Sequence, residues 1–386
     1  MRQRGNSYLE HEAKTVPHVL RYQFELVIDG RTLERPVNYG LVRIVPPEGV
    51  TIDPKLRPFV IVDPRAGHGP GIGGFKADSE IGVALKAGHP CYFVGFSPNP
   101  MPGQTIEDIA RAEAVFLEKV IALHPDAEGK PCVIGNCQAG WAVMMVASIS
   151  PQLFGPIIIV GSPLSYWAGQ RGLNPMRYNG GLFGGSWLAA LTSDIGNGIF
   201  DGAWLVQNFE YLNPANTFWK KPYNLLSKVD TGAPGYLEFE RWWGGHVNLT
   251  AKEMQSIVDE LFVGNKLAAG MVKSSDGTAI DLRNVRSPIV VRATISRPRS
   301  RRWAGYSTFT TMSTRSAPTV RRSFTASTKA SAISASSSRA RWRARSTASS
   351  RATSISSTCC RPACTKRCSR QNQQTPPIPN SFPGNG

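Results

Sequence analysis

The chain has 386 residues with 44 Lys and Arg against 27 Asp and Glu, which gives a formal net charge of +17. The charge is uneven, because 18 of the basic residues and none of the acidic ones follow Val291. Residues 1–291 are therefore close to neutral, with 26 basic against 27 acidic side chains, and this balance argues against a nucleic-acid-binding body.

Cysteine usage and hydropathy bound the cellular location. The body carries three cysteines, Cys91, Cys132 and Cys137, too few for a disulfide framework, which favours a reducing compartment. No apolar run is long enough to cross a membrane, and the first residues lack the apolar core of a signal peptide. We therefore expect a soluble, cytoplasmic protein with no transmembrane segment.

The order of patterns along the body is typical of a doubly wound sheet. Residues 21–29 and 39–45 alternate like two antiparallel edge strands, and residues 58–63 form the continuous apolar run of a strand buried on both faces. Helices at 78–87, 105–123 and 138–149 then alternate with strands at 91–96, 131–134 and 156–160. This β-α-β-α order predicts an α/β fold with a mostly parallel sheet.

The stretch 132–141 (CVIGNCQAGW) has the pattern of a nucleophile elbow, a sharp turn from a strand into a helix. Small residues must flank the turn because two backbones pass closely, and Gly135, Ala139 and Gly140 meet that need. Cys137 stands where serine is usual, and its position at a helix N-terminus is expected to stabilise the thiolate. The alternative is a buried core cysteine.

The loop at 65–74 (RAGHGPGIGG) follows the third predicted strand and contains five glycines, which we expect to leave backbone N–H groups uncovered. In elbow enzymes this loop supplies one oxyanion-hole N–H, and the residue after the nucleophile supplies the other. The predicted oxyanion hole therefore comprises Gln138 with Gly67, His68 and Gly69. A phosphate cradle competes, but the loop lacks the P-loop lysine and the GxGxxG spacing. No metal site is predicted.

A catalytic base and acid are not evident in the chain as written. The base of an elbow triad follows the last strand, and none of the histidines does so. His246 could serve as the base, although a histidine beside a pair of glycines is more often structural. Asp194 and Asp201 lie far before the last strand, so they are expected to be loop or cap residues.

The amino-acid composition changes at two points along the chain. Residues 162–286 are rich in aromatic residues and glycine, which predicts a cap with helices at 236–243 and 251–263 before a last strand at 288–291. The predicted organisation is an α/β-hydrolase-like domain at 1–291 with this cap, followed by a disordered basic tail at 292–386.

Three interpretations of the tail compete. Its charge fits a nucleic-acid-binding arm, and its four cysteines could be drawn into a metal site, although their spacing matches no zinc pattern. A frameshift explains both features as by-products. Read one base earlier with free synonymous codons, residues 292–310 become GDNITPPQQALGWILDLY and residues 327–338 become VHESVGHLGIFV. We predict this frameshift, because the second frame restores element-like patterns and supplies an Asp and a His for Cys137.

Three motifs carry a family resemblance, namely GNCQAG at 135–140, VIVDPRAGHGPGIGG at 60–74, and YLEFERWWGG with AIDLRNVRSPIVV at 236–291. From about Tyr22 to Val291 the chain resembles the polyhydroxyalkanoate synthases and, more closely, an uncharacterised domain-of-unknown-function branch related to them. The resemblance implies an α/β-hydrolase fold in which Cys137 takes an acyl group from a hydroxyacyl coenzyme A. Ala139 stands where the synthases usually have glycine, a departure that bears on polymerase activity.

The first functional hypothesis is an acyl-transfer enzyme in which Cys137 attacks a small-molecule thioester or ester. Acyl coenzyme A is the expected substrate, and no bound cofactor is predicted. A thioesterase or esterase is the alternative within the same chemistry, and a non-catalytic granule- or lipid-associated scaffold is the alternative from another class. Homo-oligomer formation and association with polyester granules both stay open. A nucleic-acid partner is not expected. Without an acid and a base, the chain as written is predicted to be inactive.

Overall fold

A seven-stranded sheet forms the centre of the computed structural model, which describes residues 2–14, 17–165, 185–211 and 213–292. The strands in chain order are β1 (Phe24–Asp29), β2 (Tyr39–Ile44), β3 (Phe59–Val62), β4 (Cys91–Phe96), β5 (Cys132–Asn136), β6 (Ile157–Val160), β7 (Ile199–Phe200), β8 (Leu249–Thr250) and β9 (Ile289–Arg292). The large sheet has the order β1-β2-β4-β3-β5-β6-β9, while β7 and β8 form a separate antiparallel pair.

Strand direction in the large sheet follows the predicted pattern. β1 pairs with β2 and β2 with β4 in the antiparallel sense, and all other neighbours are parallel. The central strands are buried because helices cover both faces, which is why their sequences are continuous apolar runs. The predicted mostly parallel α/β sheet is confirmed, and the strand predicted at 288–291 is β9.

Four helices belong to the sheet domain: α1 (Arg2–Glu12), α2 (Glu80–Lys86), α3 (Ile106–Leu123) and α4 (Gln138–Ile149). Ser79 caps α2 by accepting from the Gly82 N–H. Thr105 and Asp108 form a reciprocal capping box at the start of α3, as the sequence predicts. Short 3₁₀ turns lie at Gly30–Thr32, Pro151–Leu153 and Leu282–Asn284.

Six α-helices and two π-helices are described between β6 and β9. The α-helices are α5 (Trp187–Ile195), α6 (Ala203–Tyr211), α7 (Lys221–Ser227), α8 (Val229–Gly244), α9 (Ala251–Ser256) and α10 (Lys266–Ala269), and the π-helices are Asn216–Lys220 and Ile257–Val263. Two predicted helices need correction. The helix predicted at 236–243 starts earlier, since α8 continues through Pro234. The helix predicted at 251–263 becomes a π-helix after Ser256, where the Gly264 N–H bonds the Asp259 carbonyl five residues back.

The core has one cluster on each side of the sheet and a third above the elbow helix. One cluster packs α3 and α4 on one sheet face, and another packs α2 on the opposite face. The third joins Trp141 and Met145 of α4 to apolar residues after β6, namely Phe200, Leu249, Met254, Ile257 and Leu261. Apolar residues that follow β6 therefore pack directly against α4, the helix that follows the elbow.

All described residues fall in one compact unit, Met1–Thr311. Within the described ranges, no helix combines the length and apolar character that a membrane crossing requires. The predicted frameshifted and disordered tail at 292–386 lies outside the described residues, apart from Arg292 in β9. The domain boundary at 291 stays a prediction.

Candidate active site

Cys137 occupies the turn between β5 and α4 in a backbone conformation that side chains rarely adopt. Its φ is 48° and its ψ is −120°. Its N–H donates to the Val160 carbonyl of β6 at 2.8 Å, and its carbonyl accepts from the Gly140 N–H at 3.1 Å. Positive φ at a residue with a Cβ is unfavourable and persists only where the surroundings impose it, so the fold holds this thiol in a fixed, strained position.

The small residues around Cys137 are required by the close approach of two backbones. A Cβ added at Gly135 would lie 2.8 Å from the Gly140 Cα. A Cβ at Gly140 would lie 1.7 Å from Ser162 Oγ and 2.5 Å from Ser162 Cβ, and a change of the Ser162 rotamer does not relieve the second contact. Ala139 is buried beside them with 4% of its surface exposed. The structure thus brings the predicted elbow residues together at one turn.

The glycine-rich loop starts beside the nucleophile because β3 and β5 are parallel neighbours. Val62 pairs with Gly135, so the chain leaving β3 at Asp63 passes next to the chain leaving β5 at Asn136. Gly67 has a φ of 92°, and a Cβ there would lie 2.2 Å from the Gly202 carbonyl oxygen. The loop therefore needs glycine at this position, both for its backbone conformation and for space.

Asp63 holds the far side of this loop. Its Oδ2 accepts hydrogen bonds from the N–H groups of Gly71 at 2.6 Å and Ile72 at 2.7 Å. The Gly74 N–H also donates to the Gly71 carbonyl at 3.0 Å. The expectation that the loop glycines leave their N–H groups uncovered is therefore wrong for Gly71 and Gly74. Among the described residues, the N–H groups of Gly67 and Gly69 have no hydrogen-bond acceptor.

Two tryptophans after β6 fix the middle of the loop. Trp242 Nε1 donates to the Gly69 carbonyl at 3.0 Å, and the His68 ring lies 4.6 Å from the Trp242 ring and 6.0 Å from the Trp243 ring, centroid to centroid. Val247 N–H also donates to the Gly67 carbonyl at 3.0 Å. Burial lowers the pKa of His68 to about 4, so its ring is neutral at physiological pH.

The thiol of Cys137 is less acidic than the sequence suggests. Burial raises the pKa of Cys137, and the negative charge of Asp63 raises it further. The backbone N–H of Gln138 acts in the opposite direction and lowers the thiol pKa, but it does not outweigh burial. The expectation that the helix N-terminus stabilises the thiolate is therefore corrected. One N–H lowers the thiol pKa, but desolvation raises it by more.

A cavity of about 30 Å³ lies beneath the elbow, between β3, α3 and α4. Three buried polar atoms at its lining residues have no partner among the described residues: Asp63 Oδ1, Gln138 Oε1 and Trp141 Nε1. Glu113 of α3 also lines the cavity, and burial raises the pKa of its carboxyl to about 8. One water needs about 10–15 Å³, so the volume and lining suit ordered water rather than an acyl chain.

A buried ion pair ties the start of the loop to α9. The Arg65 guanidinium bonds the Glu253 carboxylate, and both side chains are almost fully buried. Arg65 also donates to Asn38 Oδ1 at 3.1 Å, and Gln104 Nε2 reaches the same oxygen and Glu253 Oε1 at 2.9 Å each. Because every member is bonded, the network fixes the loop without an uncompensated buried charge.

None of the described histidines forms a hydrogen bond with Cys137 or shifts the pKa of its thiol. His246 is half-buried, burial lowers its pKa, and its charged neighbour is Asp201 rather than the thiol. Asp194 lies at the end of α5. In the part of the chain that the structure describes, no cluster of His, Cys, Asp or Glu could hold a metal ion.

The strand order, the positive-φ residue between β5 and α4, and the glycine-rich loop after β3 together define an α/β-hydrolase-like protein. The chain belongs to the family described as a protein of unknown function (DUF3141), whose sequence profile matches residues 1–298. It is 76% identical over 291 residues to a Rhizobium meliloti protein described as an uncharacterised protein in the ackA 5′ region. That match covers 75% of this chain and 40% of the relative, so the chain spans less than half of the relative's length.

Solved structures that are similar to this chain include two described as hydrolytic enzymes. A probable hydrolytic enzyme from Pseudomonas aeruginosa has a TM-score of 0.36 and 13% identity, over 73% of this chain and 75% of that one. A carboxylesterase structure from Nitrososphaera gargenis has a TM-score of 0.33 and 15% identity, over 66% of this chain and 86% of that one.

Proposed function

We propose that this family cleaves a small-molecule thioester or ester through Cys137. The observation that carries the proposal is the strained backbone of Cys137, with φ at 48°, at the junction of a buried strand and a helix. Such strain is maintained where a side chain must be presented in one orientation. The Cys137 sulfur forms a bond to the acyl carbon, and the thiol or alcohol of the substrate leaves with a proton.

The oxyanion formed on attack lies between two sets of backbone donors in this proposal. One is the N–H of Gln138, the residue after Cys137, which lowers the pKa of the thiol. The other comes from the loop at Gly67 to Gly69, whose carbonyls at both ends are held by residues after β6. Donors that are fixed before the reaction stabilise developing charge without reorganising, and one such donor contributes about 10²–10³-fold in rate.

We further propose that the missing acid and base are encoded in the second reading frame after Val291. Two observations support this. No described histidine perturbs the Cys137 thiol, and the family match ends at residue 298, close to the change in composition. With its thiol pKa raised and no base beside it among the described residues, this chain accepts an acyl group slowly and does not turn over efficiently.

A hydrolase and an acyltransferase differ in the acceptor of the acyl group, which is water for the first and another molecule for the second. Transfer from a hydroxyacyl coenzyme A to a growing polyester is the reaction implied by the resemblance to polyhydroxyalkanoate synthases. Hydrolysis to a free acid is the simpler alternative, and the elbow geometry serves both. Product analysis distinguishes them, since hydrolysis yields free acid and transfer to an acceptor yields an elongated ester.

The test is a comparison of turnover between this chain and a chain in which the reading frame after the Val291 codon is restored. Acyl coenzyme A and p-nitrophenyl ester hydrolysis are measured for both, each with Cys137→Ala as its matched control. We expect turnover in the restored chain alone and its loss in the Cys137→Ala variant. Turnover that survives Cys137→Ala contradicts the nucleophile, and efficient turnover by the 386-residue chain contradicts the account of the missing base.

A further inference from the structure

The segment 213–229, called here the aromatic segment, exposes large apolar side chains and turns polar ones towards the protein, which is the reverse of an ordinary surface helix. It comprises the π-helix Asn216–Lys220 and α7, and neither contains a buried residue. Its outward residues include Trp219, Tyr223 and Leu226, which are 67%, 69% and 78% exposed. Large apolar side chains of this number on one short helix mark an interaction surface rather than scattered exposure.

The inner face of the aromatic segment is polar and already satisfied. Thr217 Oγ1 donates to the Glu210 backbone carbonyl at 2.9 Å. Lys221 pairs with the carboxylates of Glu210 and Glu240, and its ammonium lies 5.2 Å from the centroid of the Phe239 ring. Thr217, Lys221 and Leu225, four residues apart, are the half-buried positions. The helix therefore has a fixed orientation that keeps its aromatic side chains outward.

The charge on this segment has one sign. It contains Lys220, Lys221 and Lys228 and no Asp or Glu. The charge of Lys221 is balanced by the carboxylates of Glu210 and Glu240. Lys220 and Lys228 are exposed and make no ion pair with a described residue. Two exposed lysines without a described ion-pair partner thus flank α7 at its two ends, and Asp230 is the nearest acidic residue after the segment.

We propose that the aromatic segment docks the protein on an anionic phospholipid surface. Trp and Tyr settle at the boundary between headgroups and acyl chains, while lysines at the edge of the apolar face meet the lipid phosphates. The apolar face of Phe218, Trp219, Tyr223 and Leu226 enters the surface to a shallow depth, since no described helix could cross it.

The experiment must separate this segment from the tail, whose 18 basic residues attract the same vesicles. Co-sedimentation with vesicles of equal parts phosphatidylcholine and phosphatidylglycerol is measured at roughly 1 M salt, where the Debye length is about 3 Å and charge attraction is screened. The test variant is Trp219→Ser/Leu226→Ser. The matched control is Met271→Ser, because Met271 is 65% exposed but lies outside the segment.

We expect binding to weaken at least about tenfold in the Trp219→Ser/Leu226→Ser variant, since two large apolar groups no longer leave water. Binding of the Met271→Ser variant should stay unchanged, as should the circular dichroism of both variants. Hydrogen exchange by mass spectrometry, recorded at lower salt, should slow within residues 213–229 when vesicles are added. At that salt Lys220→Gln/Lys228→Gln should reduce this protection.

Three outcomes overturn the proposal. One is vesicle binding that is equal in wild type and in the Trp219→Ser/Leu226→Ser variant, with unchanged exchange in 213–229. Another is an absence of binding to these vesicles at any salt. The third is a dimer in light scattering that this double substitution disperses, which would assign the face to a second copy of the chain.

Discussion

Replacing Asp63 by asparagine should make the Cys137 thiol more acidic. The carboxylate is one of the two causes that raise the pKa of this thiol, and the amide that replaces it has no charge. An asparagine oxygen can still accept from the N–H groups of Gly71 and Ile72, so the loop keeps its anchor. The substitution therefore separates the charge of Asp63 from its structural role.

The size of the effect follows from the register of the sheet. Neighbouring strands lie about 4.8 Å apart, and Val62 pairs with Gly135, so Asp63 and Cys137 leave adjacent strands at the same edge of the sheet. At a separation of several ångströms, an effective dielectric constant of about 20 gives an interaction on the order of 1–2 kcal/mol, which favours the protonated thiol. A more acidic thiolate is also a weaker nucleophile, with a Brønsted coefficient of about 0.4–0.5, so alkylation below the thiol pKa should accelerate about three- to tenfold.

The assay is the pH profile of Cys137 alkylation by iodoacetamide, quantified on the Cys137 peptide by mass spectrometry. Burial also raises the pKa of Asp63 well above its usual range, so the carboxyl is charged only towards higher pH. The difference between wild type and Asp63→Asn should accordingly grow as pH rises. Asp63→Ala is the structural control, because it removes both the charge and the loop anchor. Identical profiles for wild type and Asp63→Asn would refute the electrostatic reasoning.

Three further comparisons, each of a variant with its control or with wild type, test packing and buried charge by urea denaturation. Gly140→Ala should destabilise the fold by about 1–3 kcal/mol through overpacking, whereas Gly5→Ala, on an open face of a helix, should stabilise it by up to about 1 kcal/mol. Arg65→Met should cost about 3–5 kcal/mol by leaving Glu253 buried and unpaired, and adding Glu253→Met should recover part of that loss in a double-mutant cycle. Burial raises the pKa of Glu113 to about 8, so wild type should lose stability as pH rises from about 4.5 towards about 8. Glu113→Gln should remove this loss, on the order of 3 kcal/mol near neutral pH, and equal slopes of stability against pH would contradict the shift.

Periodic and small-residue patterns in the sequence are enough to predict the sheet and the elbow. Continuous apolar runs at β3 to β6 reflect burial on both faces, and the spacing of Gly135, Cys137 and Gly140 reflects the close approach of two backbones. Both signals are local, since they depend on residues next to each other in the chain. The helix predictions after β6 were less accurate because aromatic and glycine-rich sequence has no clear period there.

The environment of the thiol could not be predicted from sequence, because it depends on residues that are distant in the chain. Asp63 precedes Cys137 by a whole helix, strand and helix, and only the pairing of β3 with β5 makes them neighbours. The same holds for Trp242 against Gly69 and for Arg65 against Glu253. A buried acidic residue at the end of an apolar strand was the one available signal for Asp63, and a single sequence does not show which backbone groups it holds.

The most direct test of the central claim is whether Cys137 becomes acylated. The 386-residue chain is incubated with an acyl thioester, and the adduct is located by peptide mass spectrometry, with Cys137→Ala and Cys132→Ala as paired variants. We predict one acyl group on the Cys137 peptide, formed faster at higher pH, unaffected by Cys132→Ala and absent in Cys137→Ala. An acyl group that stays in the Cys137→Ala variant, or no adduct at Cys137 when the thiol is ionised, would contradict the assignment of this residue as the nucleophile.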